Sequence, residues 1–222
     1  MNNRDKSIYW GENVKVKDII TTGIYTVLYF ILMSLGTLIA VLLTHNPNMK
    51  FAPAITALLA GTVYMLLVVK VQKFGAVTLM AAVLGLFFLV SGHSMLAFIP
   101  SLLCGLLADV IAKLGRYQSK FLNLLSYCLF SLGNLAPIIM MWTMKQAYIS
   151  QLLAKGKDMA YVHKVLINFD LGNVSVLVGA ILICAIVGGL FGQHLVSKHF
   201  KAAGLVWWTG VMMSGPNCYF YS

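Results

Sequence analysis

The stretch Ser91-Gly92-His93-Ser94 contains the histidine that is the strongest candidate for a ligand contact in this chain. An imidazole can donate a hydrogen bond to a ligand, accept one from it, or bind a metal ion that the ligand carries. The plain alternative is a solvated turn, because glycine permits a positive φ and serine hydroxyls bond freed backbone groups. The stretch therefore predicts either a ligand contact at His93 and Ser91 or an ordinary turn.

A second group of candidate ligand-binding residues lies within one apolar run. A buried Asn134 must find hydrogen-bond partners, and Pro137 frees a backbone carbonyl because it has no N–H to donate. A broken, polar stretch inside an apolar run often lines a cavity. Met141 and Trp142 add a soft, aromatic wall that suits a flat ring, although plain packing and an interfacial tryptophan are equally ordinary interpretations.

Asp109 is the one acid placed well inside an apolar run. A charge at the centre of a bilayer costs about 2.5–3.5 kcal/mol on insertion scales, so its neighbours decide its role. Lys113 follows four residues later on the same helical face, which favours an ion pair at the membrane edge. A contact with another helix or a cytoplasmic partner is the sharper alternative. A proton relay is disfavoured because relays need several titratable groups.

Motifs for catalysis and for nucleotide or metal binding are missing from the sequence. It contains no GxxxxGK[ST] phosphate loop, no HExxH helix and no GxSxG elbow. Its four cysteines form no CxxC pair. We therefore predict no catalytic residue, no metal site and no cofactor, and we expect any ATP hydrolysis to be done by partner subunits.

The elements that carry these residues follow from composition. Hydrophobic residues make up 60% of the chain and charged residues only 10%, against roughly 25% charged in soluble domains. A soluble fold this apolar would expose large greasy patches, whereas a bilayer removes that penalty. The net charge of +10 comes from short basic clusters between apolar runs, which is typical of a membrane protein and not of a nucleic-acid partner.

Six apolar runs approach the length of about 20 residues that a membrane-spanning helix needs. We predict an all-α, polytopic bundle with six transmembrane helices in a membrane domain of residues 18–197, between an N-terminal segment 1–17 and a tail 198–222. The loop 145–172 should form one or two short interfacial helices broken near Gly156, acting as a lid or as a connector on the lipid headgroups. The predicted spans are 18–44, 51–69, 75–90, 95–114, 121–144 and 173–196.

Charge placement predicts the orientation of the chain. With a cytoplasmic N-terminus, eleven lysines and arginines lie inside and five lysines lie outside. The positive-inside rule then favours a multi-pass protein of the bacterial cell membrane with both termini cytoplasmic and the loop 145–172 outside.

Small residues at four-residue spacing predict close helix contacts. Thr22, Gly23 and Thr26 also form a low-relief patch near the cytoplasmic end of the first span, where a partner protein could dock. The predicted close pairs are Ala57 with Gly61, Ser101 with Gly105, and Gly188 with Gly192.

Several stretches together resemble the S components of energy-coupling-factor (ECF) transporters, in particular their Trep_Strep, or MptS-like, branch. The resemblance covers roughly residues 14–206 with order and spacing preserved. The stretches are VKDIITTGIYTVLY (16–29), ALLAGTVYM (57–65), KVQKFG (70–75), SGH (91–93), LSYCLFS (125–131) and KHFKAAG (198–204).

The resemblance implies a six-helix membrane protein that binds a vitamin or related micronutrient near the outer face. It implies as partners a transmembrane scaffold, EcfT, and two EcfA-type ATPases, which drive toppling of the S component in the bilayer. Docking on the scaffold would fall to Thr22, Gly23 and Thr26, and the substrate site to His93, Trp142 and the loop 145–172. Tetrapyrrole-, cobalamin-, flavin- and pterin-sized rings all suit such a site. The alternative function is a stand-alone secondary transporter or channel.

Overall fold

The computed structural model describes residues 15–45, 49–90 and 95–202, apart from the side chains of residues 95–97 and 199–202. All regular structure in these residues is helical, which confirms the all-α prediction. The helices are α1 (Val16–Thr44), α2 (Ala52–Leu59), α3 (Gly61–Val71), α4 (Ala76–Val90), α5 (Met95–Leu114), α6 (Lys120–Leu132), α7 (Ala136–Thr143), α8 (Lys145–Ala154), α9 (Met159–Val165) and α10 (Leu171–Ala202).

Local chemistry sets several of the helix ends. Asp18 in the first turn of α1 accepts a hydrogen bond from the backbone N–H of Lys15 at 3.1 Å. Ser119 caps α6 by accepting from the N–H of Leu122 at 3.4 Å. Pro53 occupies the first turn of α2, where a missing N–H costs nothing. Each of these side chains satisfies, or spares, an amide that has no partner within its own helix.

The long helices pack as an up-and-down bundle. α5 lies between α4 and α6, α1 packs against α2, α3 and α4, and α10 packs against α2, α3 and α6. Four aromatic rings meet at the centre, where the Tyr64 ring lies 4.9 Å from Tyr127 and 5.0 Å from Phe130, and Tyr29 meets Phe130 edge-on at 5.4 Å. This aromatic cluster joins α1, α3 and α6 into one core.

The three predicted small-residue pairs all lie at close helix contacts, which confirms that prediction. A methyl group added to Gly188 would come within 2.6 Å of the Ala57 carbonyl oxygen, and one added to Gly192 within 2.8 Å of Gly61. A methyl group added to Gly105 would instead meet the side-chain methyl of Ala81. Glycine is favoured at these positions because the neighbouring helices leave no room for a side chain.

Among the described residues, three helical segments are long and apolar enough to cross a membrane: Val16–Thr44, Lys120–Thr143 and Leu171–Lys198. The pair α2 and α3, bent by 49°, would make a fourth. All six predicted spans fall on helices, but α4 has only 15 residues, so the count of six spans stays a prediction. A multi-pass membrane protein is supported either way.

Alternation of the helices gives the bundle two chemically distinct ends. We call the "Asp109 end" the one that holds the first turns of α1, α4 and α6 and the last turns of α3 and α5. We call the "cavity end" the opposite one, which holds the C-terminal ends of α1, α4 and α7 together with α8 and α9.

Candidate ligand-binding cavity

A cavity of about 450 Å³ opens at the cavity end of the bundle. Its volume falls within the range of roughly 300–1,000 Å³ that small-molecule sites occupy. Helices from both halves of the sequence contribute to its wall, so it exists only in the folded bundle. Its lining residues are Met33, Ser34, Thr37, Met49, Ala52, Pro53, Thr56, Phe87, Phe88, Asn134, Pro137, Ile138, Met141, Tyr148, Leu152, Tyr161 and Val165.

A break in the fifth apolar run places Asn134 in this wall. A 3₁₀ turn at Gly133–Leu135 separates α6 from α7, and Pro137 lies in the first turn of α7. The predicted broken, cavity-lining stretch is therefore confirmed in the structure. The Asn134 amide nitrogen donates to the Tyr29 hydroxyl at 3.0 Å, and Tyr29 is completely buried. Tyr29 thus fixes the position of the one carboxamide in the cavity wall.

Aromatic and thioether side chains make up much of the remaining wall. Phe87 and Phe88, near the end of α4, lie side by side, and Phe87 meets the ring of Phe30 edge-on at 4.3 Å. Met33 and Met141 add flexible, polarisable side chains that adapt to the shape of a guest. Such a surface suits flat or bulky apolar rings.

The segment 145–170 closes one side of the cavity. It forms two short helices, α8 and α9, with a break at Gly156, whose φ is +75°, as the sequence predicted. Tyr148 and Leu152 from α8, and Tyr161 from α9, line the cavity. Asp158 caps α9 by accepting from the N–H of Tyr161 at 2.8 Å. A connector that merely rested on lipid headgroups would not need these contacts.

The cavity is electrically neutral along its described wall, since none of its lining residues carries a formal charge. Burial raises the pKa of Tyr148 above its ordinary value, with a smaller contribution from Tyr161, so its hydroxyl stays protonated at neutral pH. The Lys157 ammonium lies 4.9 Å from the centre of the Tyr161 ring but is itself exposed and does not line the cavity.

Comparison with protein families decides what kind of protein carries this cavity. Residues 16–202 match the Trep_Strep family, described as a hypothetical bacterial integral membrane protein. The chain belongs to this family. It is accordingly a multi-pass integral membrane protein, as the composition predicted. Neither curated proteins nor solved structures gave a match to the chain.

Two of the predicted substrate-binding residues of this Trep_Strep protein line the cavity, and a third does not. Asn134 and Met141 are in the wall. Trp142 instead donates from its indole N–H to the Ile167 carbonyl oxygen at 3.1 Å and packs edge-on against Phe169 at 5.4 Å. Its contacts hold the chain that follows α9 against α7, so its effect on the cavity is indirect.

His93 and Ser91 lie outside the described residues, and their roles stay predictions. Of the two flanking helices, α4 reaches the cavity through Phe87 and Phe88. In the described part of the chain, no cluster of three or more His, Cys, Asp or Glu side chains could hold a metal ion.

The three predicted docking residues face different ways on α1. Thr22 and Thr26 are buried, and their hydroxyls donate to the carbonyl oxygens of Asp18 and Thr22, each at 2.8 Å. Gly23 is exposed, and a side chain there would meet open space. Only Gly23 of the three presents a surface that a partner could reach without rearrangement of the bundle.

The structure shows which contact Asp109 makes with the rest of the bundle. Its carboxylate accepts from the N–H groups of Gly75 and Thr78, at 2.7 and 3.2 Å, and from the Thr78 hydroxyl at 3.0 Å. Tyr117 donates to it at 3.4 Å. Asp109 on α5 therefore caps the N-terminus of α4, where the helix dipole favours negative charge. A contact with another helix was one of the alternatives that the sequence left open.

Sequence reasoning also missed the aromatic wall of Phe87, Phe88, Tyr148 and Tyr161. Two signals pointed to it: the Phe87-Phe88 pair at the end of a span, next to the polar stretch 91–94, and tyrosines thirteen residues apart in a lysine-rich loop. Neither pattern distinguishes a cavity wall from an interfacial aromatic belt, because both place aromatic rings at the ends of spans.

Proposed function

We propose that this chain is the substrate-binding S component of an ECF-type importer, which captures a vitamin or related micronutrient. The observation that carries the proposal is the cavity of about 450 Å³, which α8 and α9 line on one side at one end of a helical membrane protein. Its size, its aromatic side chains and the carboxamide among its described lining residues are those of a small-molecule binding site.

The distribution of charge supports capture from outside the cell. Among the described residues, more lysines and arginines lie at the Asp109 end than at the cavity end. Under the positive-inside rule the Asp109 end is then cytoplasmic and the cavity faces the cell exterior. A solute bound there must cross to the cytoplasm, so the proposal needs a movement that the bundle does not make alone.

Energy for that movement would come from partners, namely an EcfT scaffold and two EcfA-type ATPases. The sequence contains no phosphate loop of its own. Gly23, exposed on α1 near the Asp109 end, is where we place contact with the scaffold. The exposed aliphatic side chains around it, including Ile20, Ile24 and Val27, would surround that contact or face lipid.

Affinity purification of the tagged chain from its own bacterium tests the proposal. We expect a scaffold and two ATPases to co-purify with the wild type and with Asn134→Leu. Gly23→Arg should lose all three while it still binds the small molecule, because the added side chain projects into open space outside the bundle. Ser175→Arg, an exposed position on α10, serves as the matched charge control.

Transport by the chain alone would contradict the proposal. If the purified protein moved solute across liposomes without ATPases, it would be the stand-alone secondary transporter that remains the alternative. Recovery of no ATPase from cells would count against the S-component role in the same way.

A further inference from the structure

We infer that the cavity selects an uncharged heteroaromatic ring compound whose edge carries a hydrogen-bond donor beside an acceptor. Asn134 forms hydrogen bonds with this edge. The inference rests on the proposed function, since it names the substrate class of the same site. It is carried by four properties of the described wall: one fixed carboxamide, aromatic side chains, no charge and limited volume.

The Asn134 carboxamide has bonding capacity left after it pairs with Tyr29. The amide offers two N–H donors and a carbonyl oxygen with two lone pairs, and the bond to the Tyr29 hydroxyl uses one of these. Exchange of the amide oxygen and nitrogen would leave a donor and an acceptor side by side just as well. A ring edge with an N–H next to a carbonyl, or an amino group next to a ring nitrogen, pairs with such an amide through two hydrogen bonds.

Tyr29 fixes the orientation of that amide. Its ring is completely buried and packs edge-on against Phe130, so its hydroxyl cannot move far. The 3₁₀ turn at Gly133–Leu135 holds the backbone of Asn134 at the break between two helices. In either orientation the positioned amide presents a donor beside an acceptor, so it favours ring edges that carry both over edges that lack one of them.

The rest of the wall defines the body of the ligand. Phe87, Phe88, Tyr148 and Tyr161 offer ring faces and edges for stacking. An ionised group would lose hydration on entry and would find no opposite charge among the lining side chains, which is costly. The exposed Lys157 lies outside, against the Tyr161 ring. The ring should therefore be neutral where it is enclosed.

The volume matches a compound of vitamin size. A space of about 450 Å³ lies within the range of roughly 300–1,000 Å³ that small-molecule sites occupy. Pterin-sized and alloxazine-sized compounds are therefore the probes with which we test the inference.

Equilibrium binding to the purified full-length chain in nanodiscs tests the inference with two matched sets of probes. The first set is lumichrome, lumichrome methylated at both ring N–H groups, and lumichrome bearing a carboxylate. The second set makes the same changes to a methylated pterin. We expect at least one neutral N–H probe to bind, and its methylated and carboxylated forms to bind at least tenfold more weakly.

Variants then locate the discrimination. Asn134→Leu should bind the N–H and N-methyl forms equally, and Asn134→Asp should bind every probe more weakly because it adds a charge. Tyr29→Phe removes only the hydroxyl that positions the amide, so it should lower the ratio between the two forms and leave the affinity for the methylated form unchanged. Thr143→Ala, an exposed hydroxyl that bonds within α7, should change nothing.

Three results would overturn the inference: binding of no neutral probe, equally tight binding of a carboxylated probe, or a wild-type preference that persists in Asn134→Leu. If Asn134→Leu does not fold, the probe series on the wild type and on Tyr29→Phe still decides. Co-purification of scaffold and ATPases despite any of these results would preserve the S-component role with a different substrate class. A preference for the N–H probes in a chain that recovers no ATPase would instead retain this site and reject that role.

Discussion

At the Asp109 end, the buried carboxylate accepts hydrogen bonds from Gly75, Thr78 and Tyr117, and nearby Asn123 donates to the Tyr117 carbonyl oxygen at 3.0 Å. At the cavity end, the buried polar groups are fewer, and Asn134 faces a space of about 450 Å³. At both ends, polar side chains occupy positions in the bundle where apolar side chains would need no hydrogen-bond partner.

The difference lies in what the polar groups bond. At the Asp109 end most of them bond the protein itself, joining α4, α5, α6 and the intervening turns, although the buried Asn123 side-chain oxygen has no hydrogen-bond partner among the described residues. Gln193 of α10 continues the pattern by donating to the Lys120 carbonyl oxygen at 2.7 Å. At the cavity end, bonding capacity is left for a guest. We therefore expect mutations at the first end to cost stability and mutations at the second to cost binding.

Asp109→Ala should give the largest effect. It leaves the half-buried N–H groups of Gly75 and Thr78 without their partner, each worth about 1–3 kcal/mol, so the free energy of unfolding should fall by about 2–4 kcal/mol. Thermal or denaturant unfolding in detergent measures this loss. Asp158→Ala, which removes the exposed cap of α9, should cost only about 0.5–1 kcal/mol. Equal losses would remove the contrast between the two ends.

Thr37→Phe should fill part of the cavity and weaken ligand binding at least tenfold. Thr37 lines the cavity, and its hydroxyl bonds only within α1 in the described structure, so stability should change by less than about 1 kcal/mol. Titration of the co-purified small molecule against the variant measures the affinity. Thr21→Phe, half-buried on the same helix and away from the cavity, is the control. Unchanged affinity in Thr37→Phe would show that ligand does not occupy this space.

Gly75→Ala and Gly156→Ala compare the same change at the two ends. Both glycines have positive φ, +99° and +75°, and a methyl group at either would meet open space. Any cost of the alanine substitution therefore comes from backbone strain and not from a steric clash. An L-residue in this region costs about 1–2 kcal/mol. Gly75→Ala should lower the free energy of unfolding by this amount because the Gly75 N–H donates a hydrogen bond to Asp109. Gly156→Ala should pay less, since the α8–α9 turn can relax.

Trp142→Phe should lower the free energy of unfolding by about 0.5–1.5 kcal/mol for one lost hydrogen bond. A phenyl ring replaces the indole and cannot donate to the Ile167 carbonyl oxygen, so the chain after α9 should become more mobile. Hydrogen exchange should then rise at residues 166–169 and the ligand should dissociate faster, with little change elsewhere. Exchange that rises throughout the bundle would place Trp142 in the general core instead.

Much of the fold was predictable because its causes are local. Apolar runs of span length, the missing N–H of Pro137 and the glycine at position 156 act within a few residues of themselves. The close pairs around Gly105 and Gly188 were predictable for the same reason, since small residues one turn apart present a flat face wherever the partner helix comes from.

The site was harder to predict because its contacts join distant positions. Asp109 meets Gly75 across 34 residues, and Trp142 meets Ile167 across 25, and neither partner is marked by a motif. The inward placement of Thr22 and Thr26 did leave a signal. The buried positions of α1 recur every three or four residues and are smaller or more polar than the aliphatic residues between them: Thr22, Thr26, Tyr29, Met33, Gly36 and Ala40. In a membrane helix the face with smaller or more polar residues packs against the other helices, whereas in a soluble helix the apolar face does so.

Native mass spectrometry of the purified chain tests most directly whether the cavity end holds a small molecule. We expect the wild type and Asp109→Asn to carry the same bound compound at one per chain, and Asn134→Leu to have lost it. A compound retained in full by Asn134→Leu, or absent from the wild type purified from its own bacterium under mild conditions, would contradict the account.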